Sequence, residues 1–459
     1  MAIPDGIESL VMHEIILAVR YLLRRRITYF AVLAVTLCVF IVAVVMTVMT
    51  GLVNEFKQKN HNFVGDCVIG TESLVGFPYY EDFVKILDGC DYVGAVSPII
   101  KSYALISQTG IETGRNEGVE IMGIEPGRHG KVTGFGGTLS YNKEDVSKAF
   151  KPAYDPNLAG FVAGAELGRR LGIQGGYGTA GTKVLAVSCF PLTAKGTLAR
   201  AGTDLVNTKT FYYSDTSQSG LVYADGSMIY LPFEQAQLLC GMNEPVKRTS
   251  WLYIKFKPGV KVVAGCEKVS LLWRDFVKER SGQTQADLLD KVTVQNWKNY
   301  RRAFIAPVEK EQVMMTVMFG LVGITTVFII FVVFYMIIGH KSKDIGVLKS
   351  IGVSNMSVMR LFCEFAFLIG LLSSFAGLFG GWLFLLEINK IEGWLFKHFG
   401  FQLWDRTIYA IGDIPNRMGF GVAAVIALSA IIVCLAGAFL PSRQAAKLNP
   451  VETLRVSQI

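Results

Sequence analysis

ITYFAVLAVTLCVFIVAVVMTVMTGLV, residues 27–53, is the stretch that decides the fold. It carries no charge, and a helix of ~20 apolar residues is enough to cross a hydrocarbon core of ~30 Å. Three runs of the same kind lie far downstream. They are VMMTVMFGLVGITTVFIIFVVFYMIIG at 313–339, FAFLIGLLSSFAGLFGGWLFLL at 365–386 and MGFGVAAVIALSAIIVCLAGAFL at 418–440. Residues 54–311 between the first and second runs are polar, and longer than one typical domain of ~100–150 residues. The layout predicts a membrane α-helical protein with four transmembrane helices, one plus three. A large α+β extracytoplasmic domain sits between helices 1 and 2.

Orientation follows from Lys and Arg in the short flanks. Arg20, Arg24, Arg25 and Arg26 precede the first run. Lys341, Lys343, Lys349 and Arg360 lie between the second and third, and Arg443, Lys447 and Arg455 follow the fourth. The connection between the third and fourth runs is balanced, with Lys390, Lys397, Arg406 and Arg417 against Glu387, Glu392, Asp405 and Asp413. Both termini are therefore expected in the cytoplasm of a multi-pass inner-membrane protein, with the large domain periplasmic. Residues 1–26 read as a cytoplasmic amphipathic segment. The first run is well beyond the 7–15 residues of a signal h-region and no small-x-small site follows it, so it is expected to stay as an anchor. The net charge of +8 is mostly these flanks, which suits an anionic membrane surface and not nucleic acid.

Residues 54–311 alternate strand-like and helix-like stretches. Strands are expected at 66–71, 93–107 (one or two, around Pro98), 119–124, 183–189, 228–231, 251–256 and 291–294. Helices are expected at 80–87, 165–171, 234–239 and 267–278. The Gly/Ser/Thr-rich stretches 130–142 and 194–227 read as loops, and 296–311 as a helical lead into the second span. Five of the eight cysteines (Cys67, Cys90, Cys189, Cys240, Cys266) fall here, widely spaced, with no disulfide framework and no zinc pattern. Small buried hydrophobes is the favoured reading, with a disulfide left open. Gly176-Tyr177-Gly178-Thr179-Ala180-Gly181 fits G-x-G-x-x-G, but a phosphate cradle needs a strand before it and a helix after it. Here the order is reversed. The five scattered histidines form no H-E-x-x-H or other paired spacing, so no catalytic or metal site is expected. The spans hold no interior Asp, Glu, Lys or Arg, which counts against an ion-coupled transporter.

The remaining segment of interest is 340–360. Ile345, Leu348 and Ile351 recur at helical spacing, which predicts a short amphipathic helix. Gly352 is placed to end it and Ser354 to cap the next. Such a helix can lie on the bilayer or dock into a groove on a soluble partner.

Lys343-Asp344-Ile345-Gly346-Val347-Leu348-Lys349-Ser350-Ile351-Gly352 closely resembles the coupling helix of the FtsX/MacB superfamily of ABC permeases. The tail Pro441-Ser442-Arg443-Gln444-Ala445-Ala446-Lys447-Leu448-Asn449-Pro450-Val451-Glu452-Thr453-Leu454-Arg455 resembles that superfamily's ending. Within it, the stretches at 17–22, 119–126 and 164–172, with Trp297, look like the lipoprotein-releasing LolC/LolE permeases. The resemblance divides the chain into a transmembrane helix at 27–53, a MacB-like periplasmic core domain at 54–311 and an FtsX-like permease domain at 312–459. That last part includes the cytoplasmic coupling loop 340–360 and the tail 441–459.

The resemblance implies a non-catalytic permease subunit. A separate ABC ATPase subunit would hold ATP and Mg, with no cofactor in this chain. A second permease copy or paralogue, membrane lipids, a membrane lipoprotein substrate and a periplasmic carrier are the other implied partners. ATP-driven work would reach the outer domain by mechanotransmission through Asp344, Ile345, Gly346, Val347, Leu348, Lys349, Ile351 and Gly352. The loop at 190–201, with Pro191, Lys195 and Arg200, is the candidate carrier-recruiting loop, with an ordinary exposed loop as the other reading. Phe40, Val44, Val48, Met314, Met318 and Phe319 are the candidate acyl-chain opening, against plain lipid-facing or helix-packing roles. A MacB-like exporter of peptides or amphiphiles, and an FtsX-like signal transducer that activates a cell-wall hydrolase, are the alternatives.

Overall fold

The computed structural model describes residues 26–108, 116–173, 183–198, 206–400 and 413–449. The tail from 450 onward, Arg200 and the glycine motif at 176–181 lie outside the described residues. In chain order, α1 (Arg26–Val64) is followed by β1 (Cys67–Gly70), β2 (Phe77–Pro78), α2 (Tyr80–Asp88), β3 (Val93–Gln108) and β4 (Glu117–Ile124). Next come α3 (Pro126–Val132), α4 (Phe135–Thr138), β5 (Gly160–Gly164), α5 (Ala165–Arg170), β6 (Val184–Cys189) and β7 (Asn207–Ser217). Then follow α6 (Val222–Ser227), β8 (Met228–Pro232), α7 (Phe233–Leu239), β9 (Arg248–Thr249) and β10 (Trp251–Phe256). After α8 (Val262–Glu279), β11 (Thr293–Asn296) and α9 (Trp297–Tyr300), the long helices α10 (Arg302–Ser350), α11 (Asn355–Phe399) and α12 (Phe420–Lys447) complete the chain. The described residues form two compact units, 55–306 and the rest, the division falling inside α1 after Asn54 and inside α10 before Pro307.

In the 55–306 unit the main sheet has nine strands in the order β11-β1-β10-β3-β4-β8-β5-β7-β6, and β6 returns to pair with β3. Strands β3, β4, β8, β5, β7 and β6 therefore close into a ring, which leaves those strands no open edge between them. The 16 residues of β3 make this possible. Along one edge, Val93–Ile99 pairs with β10 while Ala104–Gln108 pairs with β6, and the opposite edge takes β4. The side chains follow. From Val96 to Ile100 β3 is buried on both faces, whereas from Ser102 onward burial alternates and Tyr103 and Leu105 face outward.

Two expected loops contain structure. The stretch 194–227 holds the 11-residue strand β7, and 130–142 holds the ends of α3 and all of α4. Strand β7 reads as a loop because its sequence is NTKTFYYSDTS, yet Phe211 and Tyr213 point into the core. The buried Asp215 is satisfied by the backbone N–H groups of Ser140, Tyr141 and Asn142, so an acidic residue survives in the interior. Strand β5, flanked by Gly160 and Gly164, was also not legible. At Gly164 a Cβ would sit 2.5 Å from the Asp225 carbonyl oxygen, so the position requires glycine.

The four long helices α1, α10, α11 and α12 are each long and apolar enough to cross a membrane. They contain 39, 49, 45 and 28 residues. Small residues set their packing. A Cβ on Gly377 of α11 would meet Thr36 O of α1 at 2.8 Å, and one on Gly437 of α12 would meet Val327 O of α10 at 2.7 Å. The expected short helix in the 340–360 loop is not separate. It is the last turns of α10, because no residue between Met336 and Ser350 interrupts the hydrogen-bond ladder.

Candidate functional site

At the end of α10 the chain makes a helix stop and restart within a few residues. Gly352 sits at φ +103, its N–H bonds Lys349 O at 3.1 Å, and Val353 N–H bonds Leu348 O at 3.1 Å. That pair of bonds is the Schellman stop, and its left-handed position costs an L side chain strain. Ser354 then caps α11 by accepting from Ser357 N–H at 3.2 Å. The restart expected at Gly352 and Ser354 is thus present, even though the helix before it is α10 itself.

The apolar stripe divides. Ile345, 3% exposed, packs into the core of the long helices with Val358, Phe362 and Ala445. Leu348 lies against a small depression of about 30 Å³ between α10 and α11, lined also by Leu361 and Phe365. Val347 and Ile351 point away, 46% and 77% exposed. The expectation that Ile345, Leu348 and Ile351 form one docking face is corrected here. The outward pair is Val347 and Ile351, because α10 continues at its own helical phase and α11 and α12 cover the Ile345 side. Lys349, between them, turns back. Its Nζ donates to Ala446 O at 2.8 Å and Leu448 O at 2.7 Å, the orphan carbonyls at the end of α12. Asp344 pairs with Lys341 one turn earlier on the exposed surface, and Gly346 is buried.

The six residues of the expected acyl-chain opening are not gathered on one lining. Phe40 packs edge-on against Phe384 of α11 at 5.7 Å, and Val44 approaches Gly381 of the same helix. Val48 and Phe319 are half-buried, while Met314 and Met318 stand exposed on α10.

The loop after β6 is a tight hairpin. Thr193 N–H bonds Thr197 O at 2.8 Å and Gly196 N–H bonds Thr193 O at 2.9 Å. Lys195 is exposed at its tip, but Pro191 is buried beside Gly241 and does not project. The fully buried Arg248 anchors the base, donating to Leu192 O at 3.2 Å, Gly241 O at 2.6 Å and Val75 O at 3.0 Å. Nothing in the sequence around Arg248 marks it for this role, since all three acceptors are backbone carbonyls.

A second cluster joins the C-terminal end of α1 to the start of α10. The buried Arg301 guanidinium donates from Nε to Asn60 Oδ1 at 2.9 Å and from Nη2 to Tyr223 Oη. It is enclosed by the rings of Phe304, Tyr223 and Phe63, with centroids 4.1, 4.8 and 5.4 Å away. Nearby, His61 stacks on Trp297 at 4.5 Å and its Nε2 is 2.7 Å from Asp66 Oδ1. Burial alone would raise the Asp66 carboxyl. Hydrogen bonds from His61, Phe256 N–H and Lys255 outweigh it and hold the group below its usual range.

Residues 316–450 match the FtsX-like permease C-terminal family. The chain is 23% identical over 430 residues to the lipoprotein-releasing system transmembrane protein LolC of Neisseria meningitidis serogroup B, covering 94% of each. It is 22% identical over 451 residues to LolC of Xylella fastidiosa strain 9a5c, covering 96% of this chain and 98% of that one. Among solved structures, the periplasmic region of MacB from Actinobacillus actinomycetemcomitans is similar at TM-score 0.30 and 11% identity, over 53% of this chain and 95% of that one. The chain thus carries an FtsX-like permease domain at residues 316–450, and over nearly its full length it is similar to LolC permeases.

Proposed function

We propose that the chain is the permease subunit of an ABC complex that releases lipoproteins from the inner membrane, driven by ATP hydrolysis in a separate subunit. The near-full-length likeness to LolC supports this class of substrate. The coupling step is carried by one observation: Val347 and Ile351 stand exposed at the very end of a 49-residue helix. An apolar groove on an ATPase that accepts this pair would move the end of α10 directly. From Pro307, which interrupts the hydrogen-bond ladder, to Ser350 the helix runs about 65 Å at 1.5 Å per residue, and displacement at its end would be carried along that length. Lys349 would make the end of α12 follow, because it holds the last carbonyls of that helix.

The Lys and Arg flanks support a cytoplasmic coupling end, with residues 54–311 in the periplasm. ATP and Mg belong to the partner ATPase, and a second permease, copy or paralogue, completes the complex. Extracting an acyl chain costs ~0.8 kcal/mol per CH₂, so a lipoprotein anchor needs both ATP work and a hydrophobic recipient. A periplasmic carrier met by the Lys195 hairpin would supply the recipient. Met314 and Met318 are the residues that remain suited to an acyl chain.

Mass spectrometry of everything retained by the tagged chain after gentle solubilisation of native membranes is the test. An ATPase together with acylated lipoproteins supports the reading. An ATPase with an outer-membrane duct, or with a cell-wall hydrolase, and no lipoprotein, moves the assignment to exporter or transducer. The absence of any ATPase overturns the ABC assignment.

A further inference from the structure

The five cysteines of the 55–306 unit are not scattered in space. The side chains of Cys67, at the start of β1, and Cys266, on α8, interact, and Cys266 Sγ lies 3.9 Å from the carbonyl oxygen of Asp66, the residue before Cys67. The side chains of Cys189, at the end of β6, and Cys240, just past α7, interact as well. The chain around that second pair is stitched together. Leu192 N–H bonds Cys240 O at 3.3 Å, and Asn207, the cross-strand partner of Cys189, donates to Leu239 O at 3.2 Å. All four residues belong to one buried core, while Cys90 is left over and partly exposed. A cysteine that serves only as a small hydrophobe has no reason to face another cysteine. Here four of the five do so, from four different parts of the fold.

We propose that Cys67–Cys266 and Cys189–Cys240 are disulfides of the mature protein, tying β1 to α8 and the end of β6 to the turn after α7. The inference rests on the reading that this unit lies outside the cytoplasm, where disulfides form and persist. The step is thiol–disulfide exchange. One cysteine thiolate of a pair attacks the disulfide of a dithiol oxidase, and the second thiolate displaces the resulting mixed disulfide. The pair loses two protons and two electrons as the oxidase disulfide becomes a dithiol. The thiols are free in this structure, and closing each pair brings its sulfurs to ~2.05 Å.

The test uses the full chain from native membranes, alkylated in denaturant without reduction, digested and mapped. The expected result is two cross-linked peptide pairs, Cys67 with Cys266 and Cys189 with Cys240, with Cys38, Cys90, Cys363 and Cys434 alkylated. In C266S the Cys67 thiol should become alkylated while Cys189–Cys240 stays linked, and C240S should release Cys189 alone. Alkylation of all four in the wild type, or any other pairing, overturns the proposal. A membrane-impermeant maleimide applied to spheroplasts reads Cys90 separately. If Cys90 is labelled and the four thiols are free, the disulfides fail while the periplasmic placement stands. If the four are free and Cys90 is labelled only after the membrane is opened, the placement has failed with them.

Discussion

Arg301 Nε donates to Asn60 Oδ1 at 2.9 Å, joining the residue before α10 to the last turns of α1 across more than half the chain. The guanidinium has no carboxylate partner among its described contacts. A side-chain amide, a phenol and three aromatic faces hold it instead. The last turns of α1 and the first turn of α10 thus share one buried cluster inside the 55–306 unit.

Arg301→Met should loosen that cluster. The variant keeps an apolar stem but leaves Asn60 Oδ1 and Tyr223 Oη without their donor, and each buried unsatisfied group costs ~1–3 kcal/mol. A loss of about 2–4 kcal/mol from the unit's stability is expected. Arg301→Lys should restore only part of it, because an ammonium can neither span two partners as a fork nor stack on the rings. Thermal unfolding of the purified chain, followed by tryptophan fluorescence, gives the comparison. An unchanged midpoint in the Met variant would mean the cluster is not what joins the helices.

Ile351→Glu should weaken ATPase capture without harming the fold, since Ile351 is 77% exposed. Ile345→Glu should instead lower yield and stability, because it places a charge in the core of the long helices. Retention of the ATPase by the tagged chain should fall at least about tenfold for Ile351→Glu, equivalent to ~1.4 kcal/mol. Full retention in that variant, with Val347→Glu equally silent, would rule out the exposed pair as the docking surface.

The spans were legible because length alone identifies them: an uncharged run of this extent has few other homes. The stop at Gly352 and the restart at Ser354 were legible for a local reason, since each depends only on residues within one turn. What lay beyond reach was anything set by long-range partners. Spacing put Ile345, Leu348 and Ile351 on one stripe, but only the packing of α11 and α12 decides which of them faces out. Phe40 and Val44 went to α11 because that helix packs closely on α1, where Gly377 leaves room for Thr36 and Val39, a choice no single segment encodes. The stretch that holds β7 read as a loop, and Arg301 and Arg248 carried no signal of their own, because their burial is made tolerable by acceptors and donors far away in sequence.

Lys349→Met should fray the end of α12. Its two carbonyl acceptors belong to Ala446 and Leu448, and a hydrogen bond to a charged group contributes ~1.5–3 kcal/mol. Amide exchange at residues 445–449 should accelerate by about tenfold or more, while amides near Ile330 stay protected. Lys349→Arg, which keeps a cationic donor, should retain most of the protection. Equal exchange rates in all three proteins would show that the end of α12 holds itself.

His129 gives the unit a stability that depends on pH. The ring is buried, 3.3 Å from Ser97 Oγ and beside Phe135 and Tyr253, and burial lowers its pKa from 6.5 to about 3. The folded protein therefore keeps the ring neutral where the unfolded chain would protonate it. The sign follows: between pH 6.5 and about 3 the unfolded state binds the extra proton, so this contribution is complete above 6.5 and is lost as the pH falls. One pH unit in that window corresponds to ~1.4 kcal/mol, so lowering the pH from 6.5 to 5 should cost about 2 kcal/mol through His129. His129→Gln removes the titration, and its own stability should depend less on pH over the same interval by that amount. Unfolding midpoints of both proteins at pH 7, 6 and 5 supply the difference. Parallel pH profiles would mean that His129 titrates alike in the folded and unfolded chains and would overturn this account of its burial.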